Sequence, residues 1–204
     1  MRVVEVPFGC RGVDCDTVLT EKTASALSAE HVDFVVRYLG SISTMEIGAI
    51  LGADLGLELV TFAHDPGWMP SATLGAEDGD TDVMHLKALG IPEEMVVWID
   101  LEGSGGNAAD TAAWVNARAK AIIQAGYLVG LYVGDGCVLN AQELYALPNI
   151  THYWRGFNQG IPEPSCGFCQ FQLFPPNQML ASVQVDHDYS QSDYEGRVPT
   201  MLVS

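Results

Sequence analysis

The sequence is short of positive charge: 9 Lys and Arg residues stand against 26 Asp and Glu, a formal net charge of −17 at pH 7. That balance opposes binding to nucleic acid, or to an anionic membrane surface, through long-range attraction. The chain also lacks an apolar run of membrane-spanning length, so no membrane insertion is expected. Its first residues, "MRVVEVPFGC", hold one Arg and a short apolar run broken by Glu5 and Pro7, unlike a secretion signal. The expectation is synthesis in the cytoplasm with no leader of its own.

Cysteine is sparse and irregular. The five residues, an odd number without regular spacing, do not make a disulfide framework. "CGFC", Cys166 to Cys169, has redox spacing, but such a motif should open a helix, and "CQFQLF" alternates like a strand. Cys10 and Cys15 could join it as four zinc ligands, although their own spacing is unusual for such a site. Buried or loop thiols, with no metal and no cofactor, are expected. No GxSxG elbow or nucleotide-binding glycine loop is present, which leaves esterase and phosphotransfer chemistry without local support. His31, His85, His152 and His187 show no zinc-protease spacing.

What the chain does have is core: 204 residues with 48% hydrophobic content can bury one, and residues 1–204 read as one domain. Strand-like runs begin at Gly12, Asp33, Leu57, Val96, Tyr127, Thr151, Cys169 and Ser182. Helix-compatible stretches separate the early ones. Ser43 and Glu46 have capping-box spacing, and "NAADTAAWVNARAKAIIQAG" places Val115, Ala119, Ile122 and Ile123 on one face before Gly126 stops it. After residue 150 the helical signal fades. This pattern predicts an α/β fold, a short, irregular (β/α)8 TIM-like barrel with reduced helices in its C-terminal half. A flavodoxin-like open sheet, the alternative, has no use for the last three strands.

In a barrel, chemistry gathers at the C-terminal ends of the strands. "VVWIDLEG" shows what this implies, because alternation puts Trp98, Asp100 and Glu102 on one side and Val97, Ile99 and Leu101 on the other. Two carboxylates directed from a buried strand are costly unless something uses them. The same rule gathers Asp14 from "GVDC" and Asp186 with Asp188 from "QVDHD". Tyr38, Phe62, Trp98, Tyr132 and Trp154 are expected around the rim, with His64 as a further rim contact. Acids ringed by aromatics suit a carbohydrate cleft, in which rings stack on sugar faces and carboxyls cleave the glycosidic bond. Taken one by one, such an Asp is more often a turn or helix cap, and an acid cluster can also hold a hard cation.

"GVDCDT", the "DLE" ending the central strand, "CQFQLF" and "VDHD" resemble the lysozymes of glycoside hydrolase family 25. "FVVRYLG" followed by a capped helix and "LELVTF" is similar to the related glycoside-hydrolase-like domain of unknown function in bacterial and phage proteins. The resemblance runs from about Gly12 to Tyr189. It implies a muramidase that cuts the β-1,4 bond of peptidoglycan, plausible in a phage or prophage lysis enzyme. Glu102 would be the general acid, and Asp100 would orient the acetamido group or stabilise the positive intermediate. Asp14 and Asp186 match further acidic positions, while Tyr132 and Gln172 correspond to cleft residues; Asp188, gathered by the strand-end rule, is expected to contact the substrate. The family carries D-[VI]-S where this chain has Cys15 and Asp16 after Asp14. The implied partner is peptidoglycan or a related glycan, bound by a monomer. A non-catalytic glycan-binding barrel, or a hydrolase of another polysaccharide, is the alternative.

Overall fold

A computed structural model describes residues 1–204. The chain opens with β1 (Arg2–Glu5) and β2 (Arg11–Asp14), then alternates through α1 (Glu21–Ala29), β3 (Phe34–Tyr38), α2 (Thr44–Gly52), β4 (Gly56–Val60), α3 (Ala72–Leu89), β5 (Val96–Leu101), α4 (Ala108–Gln124) and β6 (Leu128–Val133). A short α5 (Ala141–Tyr145) precedes β7 (His152–Arg155), and β8 (Gln170–Leu180), β9 (Val183–Ser190) and β10 (Thr200–Val203) follow without a helix between them. No helix is long and apolar enough to cross a membrane.

Strands β2 to β9 close into a barrel, since β4 pairs with β5 and β9 returns to β2. All eight strands anticipated from the sequence are in it. Seven run parallel; β9 is antiparallel to both neighbours, β8 and β2. This departs from a regular (β/α)8 barrel, and the cause is local. Only Ala181 and Ser182 join β8 to β9, both at positive φ, so the chain reverses in a hairpin instead of crossing over through a helix. Two strands were not foreseen: β1 pairs antiparallel with β10, and β10 pairs with β4 at Leu202↔Leu57, so this ribbon lies at the N-terminal ends of the parallel strands. It forms the barrel floor.

Alternation sorts the core into two layers. Val97, Ile99 and Leu101 of β5 and Val129, Leu131 and Val133 of β6 face the helices, while Phe34, Val36, Val60, Trp98, Tyr132 and Trp154 fill the barrel. Burial of each such side chain stabilises the fold by about 1.5–3 kcal/mol. Inside, large residues fit against glycines: a Cβ on Gly130 would stand 2.3 Å from the Trp98 ring. The helix ends follow sequence signals, with Ser43, Ser71 and Asn107 capping α2, α3 and α4. At α2 only half of the expected capping box forms. Ser43 accepts from Glu46 N, but the Glu46 carboxylate turns inward to accept from Leu19 N at 2.8 Å and Arg37 Nε at 2.7 Å. Arg37 also donates to the Cys15 carbonyl, so this buried cluster fastens the loop after Asp14 to β3 and α2.

Helix α3 crosses α4 at unusually short range because Gly75 and Gly79 meet its backbone. A Cβ at Gly75 would lie 2.2 Å from the Trp114 carbonyl oxygen. Gly75→Ala is therefore expected to destabilise the protein by about 2–3 kcal/mol in urea unfolding, although alanine is the better helix former.

Candidate active site

The mouth of the barrel holds a cavity of about 160 Å³. Asp100 and Glu102 enter it from β5 and the residue just beyond, Asp14 from the end of β2, and Asp186 from β9, where it pairs in register with Asp14. Because β9 runs antiparallel, Asp186 belongs to its first half and lies at the mouth, and Asp188 lies one inward-facing position deeper. The sequence reading took Asp188 as a cleft residue; it is 1% exposed, lines no part of this cavity and lies beside Gly12 and Gln172 in the barrel interior.

Gln172 organises the acids. Its Nε2 donates to Asp14 Oδ2 at 2.9 Å and to Asp186 Oδ2 at 3.1 Å, and its Oε1 accepts from Tyr132 OH at 3.0 Å and Phe157 N at 3.2 Å. Asp100 is held at its backbone, where N donates to Thr61 Oγ1 at 3.2 Å, but its buried Oδ1 has no partner. Glu102 lies beside Gly134, where a Cβ would come within 2.6 Å of Oε2; glycine leaves room for the carboxyl. Its carbonyl accepts from Trp68 Nε1 at 2.9 Å.

Burial dominates the electrostatics. It pushes Asp100 well above the usual carboxylate range, and the neighbouring Glu102 and Asp14 charges add to it while Arg118 opposes. Glu102 is raised by burial and by Asp135. Burial moves Asp14 up to about 7, against the Gln172 hydrogen bond, and raises Asp188 too, with Asp14 beside it. Beneath them Glu58, which accepts from Trp98 Nε1 at 2.7 Å, is pushed up to about 8 by burial.

Each of these groups holds its proton more tightly folded than unfolded. Their stabilising contribution is complete below the unfolded values, near 3.8 for Asp and 4.5 for Glu, and is lost as pH rises through the folded ones. The melting temperature is thus expected to fall by about 5 °C or more between about pH 5 and about pH 8. Glu58→Gln, which removes the group titrating up to about 8, should flatten the upper part of that slope in thermal melts.

The aromatics divide. Tyr38, Tyr132 and Trp154 line the cavity. Trp98 does not: with 0% exposure and its indole bonded to Glu58, it is barrel core below the cleft, which corrects its reading as a rim residue. Phe62 stacks on Tyr38 at 4.6 Å but faces a neighbouring cavity together with His64. His64 Nε2 meets Asp78 Oδ2 at 2.8 Å, and Trp114 Nε1 donates to the same oxygen at 2.7 Å. The sequence reading missed Phe157, which lines the cavity two residues past the end of β7, where the strand-end rule applied to "HYWRGF" would have found it. All five cysteines are unpaired, and burial pushes the Cys15 thiol up to about 12 and that of Cys137 up to about 11.

A barrel closed by a reversed last strand, with four carboxyls at its mouth, can be set beside known proteins. Residues 25–195 match the family described as Rv2525c-like, glycoside hydrolase-like domain. The chain belongs to that family. No curated protein matches it in sequence. Among solved structures, this family member is similar to an uncharacterized B. stearothermophilus protein, with a TM-score of 0.70 and 18% identity over 90% of this chain and 96% of that one. It is also similar to the bacterial lysozyme from Streptomyces coelicolor, with a TM-score of 0.60 and 13% identity over 91% and 93% of the two chains. For the catalytic domain of endolysin ply40 from bacteriophage P40 of Listeria monocytogenes, the TM-score is 0.57 and the identity 17%, over 92% and 95%. At these identities the likeness is one of fold.

Proposed function

We propose that the protein is a glycoside hydrolase that cleaves the β-1,4 bonds of peptidoglycan as a muramidase. The observation that carries this reading is the Asp100 and Glu102 pair entering one cavity beside Asp14, Asp186 and Tyr132. Glu102, raised and half-buried, holds the proton. It delivers that proton to the glycosidic oxygen as the bond to C1 breaks. The acetamido oxygen of the same sugar closes on C1, and its N–H turns toward the unpartnered Asp100 Oδ1. The positive charge that develops there favours the ionised form of Asp100, while Glu102, having given up its proton, is left as a carboxylate. Water then opens the ring intermediate, giving its proton back to Glu102 and its oxygen to C1, with retained configuration. Gln172 fixes Asp14 and Asp186 as the wall that holds the sugar. The lysozyme and endolysin likenesses support the choice of peptidoglycan as substrate.

The deciding experiment is mass spectrometry of muropeptides after purified peptidoglycan is incubated with the protein. New reducing ends at muramic acid are expected. Binding to peptidoglycan without any new ends would replace the enzyme by a glycan-binding barrel.

A further inference from the structure

Beside the cleft lies a cavity of about 190 Å³ that the reaction leaves unused, walled by α3, the Arg118 side chain of α4 and residues 61–64 after β4. Helix α3 turns one polar stripe to it: Asp78, Thr81, Asp82 and His85, at helical spacings of three and four. Its two carboxylates are already engaged from within. Asp82 accepts from Arg118 Nε at 2.7 Å and Nη2 at 3.0 Å, and Asp78 Oδ2 meets His64 Nε2 and accepts from Trp114 Nε1. What remains is donors. Arg118, 4% exposed, lines the cavity with an Nη1 that has no acceptor, and no side-chain hydrogen bond engages the half-buried His85. Only one aromatic layer separates this cavity from the cleft: Phe62 on its wall stacks at 4.6 Å on Tyr38, which lines the cleft.

An enclosed guanidinium N–H without an acceptor is costly, and a carboxylate is the ligand that gains most from it, through a charge-assisted hydrogen bond. We propose that this cavity takes a carboxylate carried on a branch of the glycan, with Arg118 Nη1 and His85 as its donors and the sugars lying in the cleft beyond Tyr38. In peptidoglycan the branch is the lactyl ether of muramic acid, which ends in a carboxylate when bare and continues into a carboxylate-bearing peptide when substituted. The identity of the branch rests on the muramidase reading; the carboxylate site does not.

The probes are N-acetylglucosaminyl-N-acetylmuramic acid disaccharides, which lack the bond a muramidase cuts, so that wild-type protein can be titrated without turnover. One carries L-alanyl-D-glutamate, a second carries the diamide of that peptide, and a third carries no peptide. Calorimetry is expected to show the dipeptide acid binding about tenfold tighter than the diamide. Arg118→Lys, which can keep the ion pair but has no further arm to offer, should bring that ratio to about twofold or less. So should Thr81→Glu, which sets a carboxylate of the protein's own at the exposed wall of the cavity and leaves the Arg118 pair intact. The peptide-free disaccharide identifies the branch: binding as tight as the dipeptide acid, and equally weakened by Arg118→Lys, assigns the lactyl carboxylate, and weaker binding assigns the peptide. Equal affinities for acid and diamide, no binding of any probe, or a preference indifferent to these substitutions in folded protein means that the cavity holds only solvent, and overturns the proposal. Digestion of peptidoglycan reports separately: no cleavage with the preference intact removes the muramidase and keeps the carboxylate site, and cleavage without the preference does the opposite.

Discussion

Glu102→Gln is expected to lower muropeptide release from purified peptidoglycan by about 10²–10⁴-fold, the usual contribution of a positioned general acid. The amide keeps the volume of the side chain, so the space left by Gly134 is filled as before. Nothing in the fold depends on the carboxyl oxygens, because the anchor from Trp68 is made to the backbone carbonyl. Melting temperature should therefore change little. The loss should fall on kcat, with KM nearly constant, since the proton is needed only as the bond breaks. A variant that still releases muropeptides at the wild-type rate would show that the acid is elsewhere.

The largest effect on stability is expected from Asp82→Ala. Asp82 on α3 accepts from Arg118 on α4 at 2.7 and 3.0 Å, with both residues nearly enclosed. Burial raises the Asp82 carboxyl, and the guanidinium offsets part of that rise. Removing the acid leaves a buried cation alone, a loss of about 3–5 kcal/mol measurable by urea unfolding. Replacing both partners together, Asp82→Leu with Arg118→Met, should recover most of it, because no charge is then stranded. Activity should not recover with stability. Arg118 opposes the rise of the Asp100 pKa, and without it the ionised form needed by the developing positive charge is harder to reach.

The barrel was legible because its strands are written twice over, by β-rich runs and by alternation, and the same alternation put Asp100 and Glu102 on one side. Direction was not written. Ala181 and Ser182 turn at positive φ without the Asn-Gly or Asp-Gly that announces a hairpin, so β9 read like one more parallel strand. That is why Asp188 was gathered to the mouth together with Asp186, although it lies deeper. Strands β1 and β10 are four residues each, with polar or charged residues among the apolar ones, and only their mutual pairing makes them strands. Trp98 shows another limit: alternation tells which face a ring takes but not how deep it sits.

The floor ribbon has a mechanical meaning. Arg2 is opposite Val203 and Glu5 opposite Thr200, so both chain ends leave the ribbon from the same edge. A force applied between them loads the rungs singly, as in opening a zipper, and not all together in shear. Tension on the two ends would peel β1 from β10 first, pulling at Val6 and the underside of the barrel while the strands carrying Asp14, Asp100 and Asp186 are still joined.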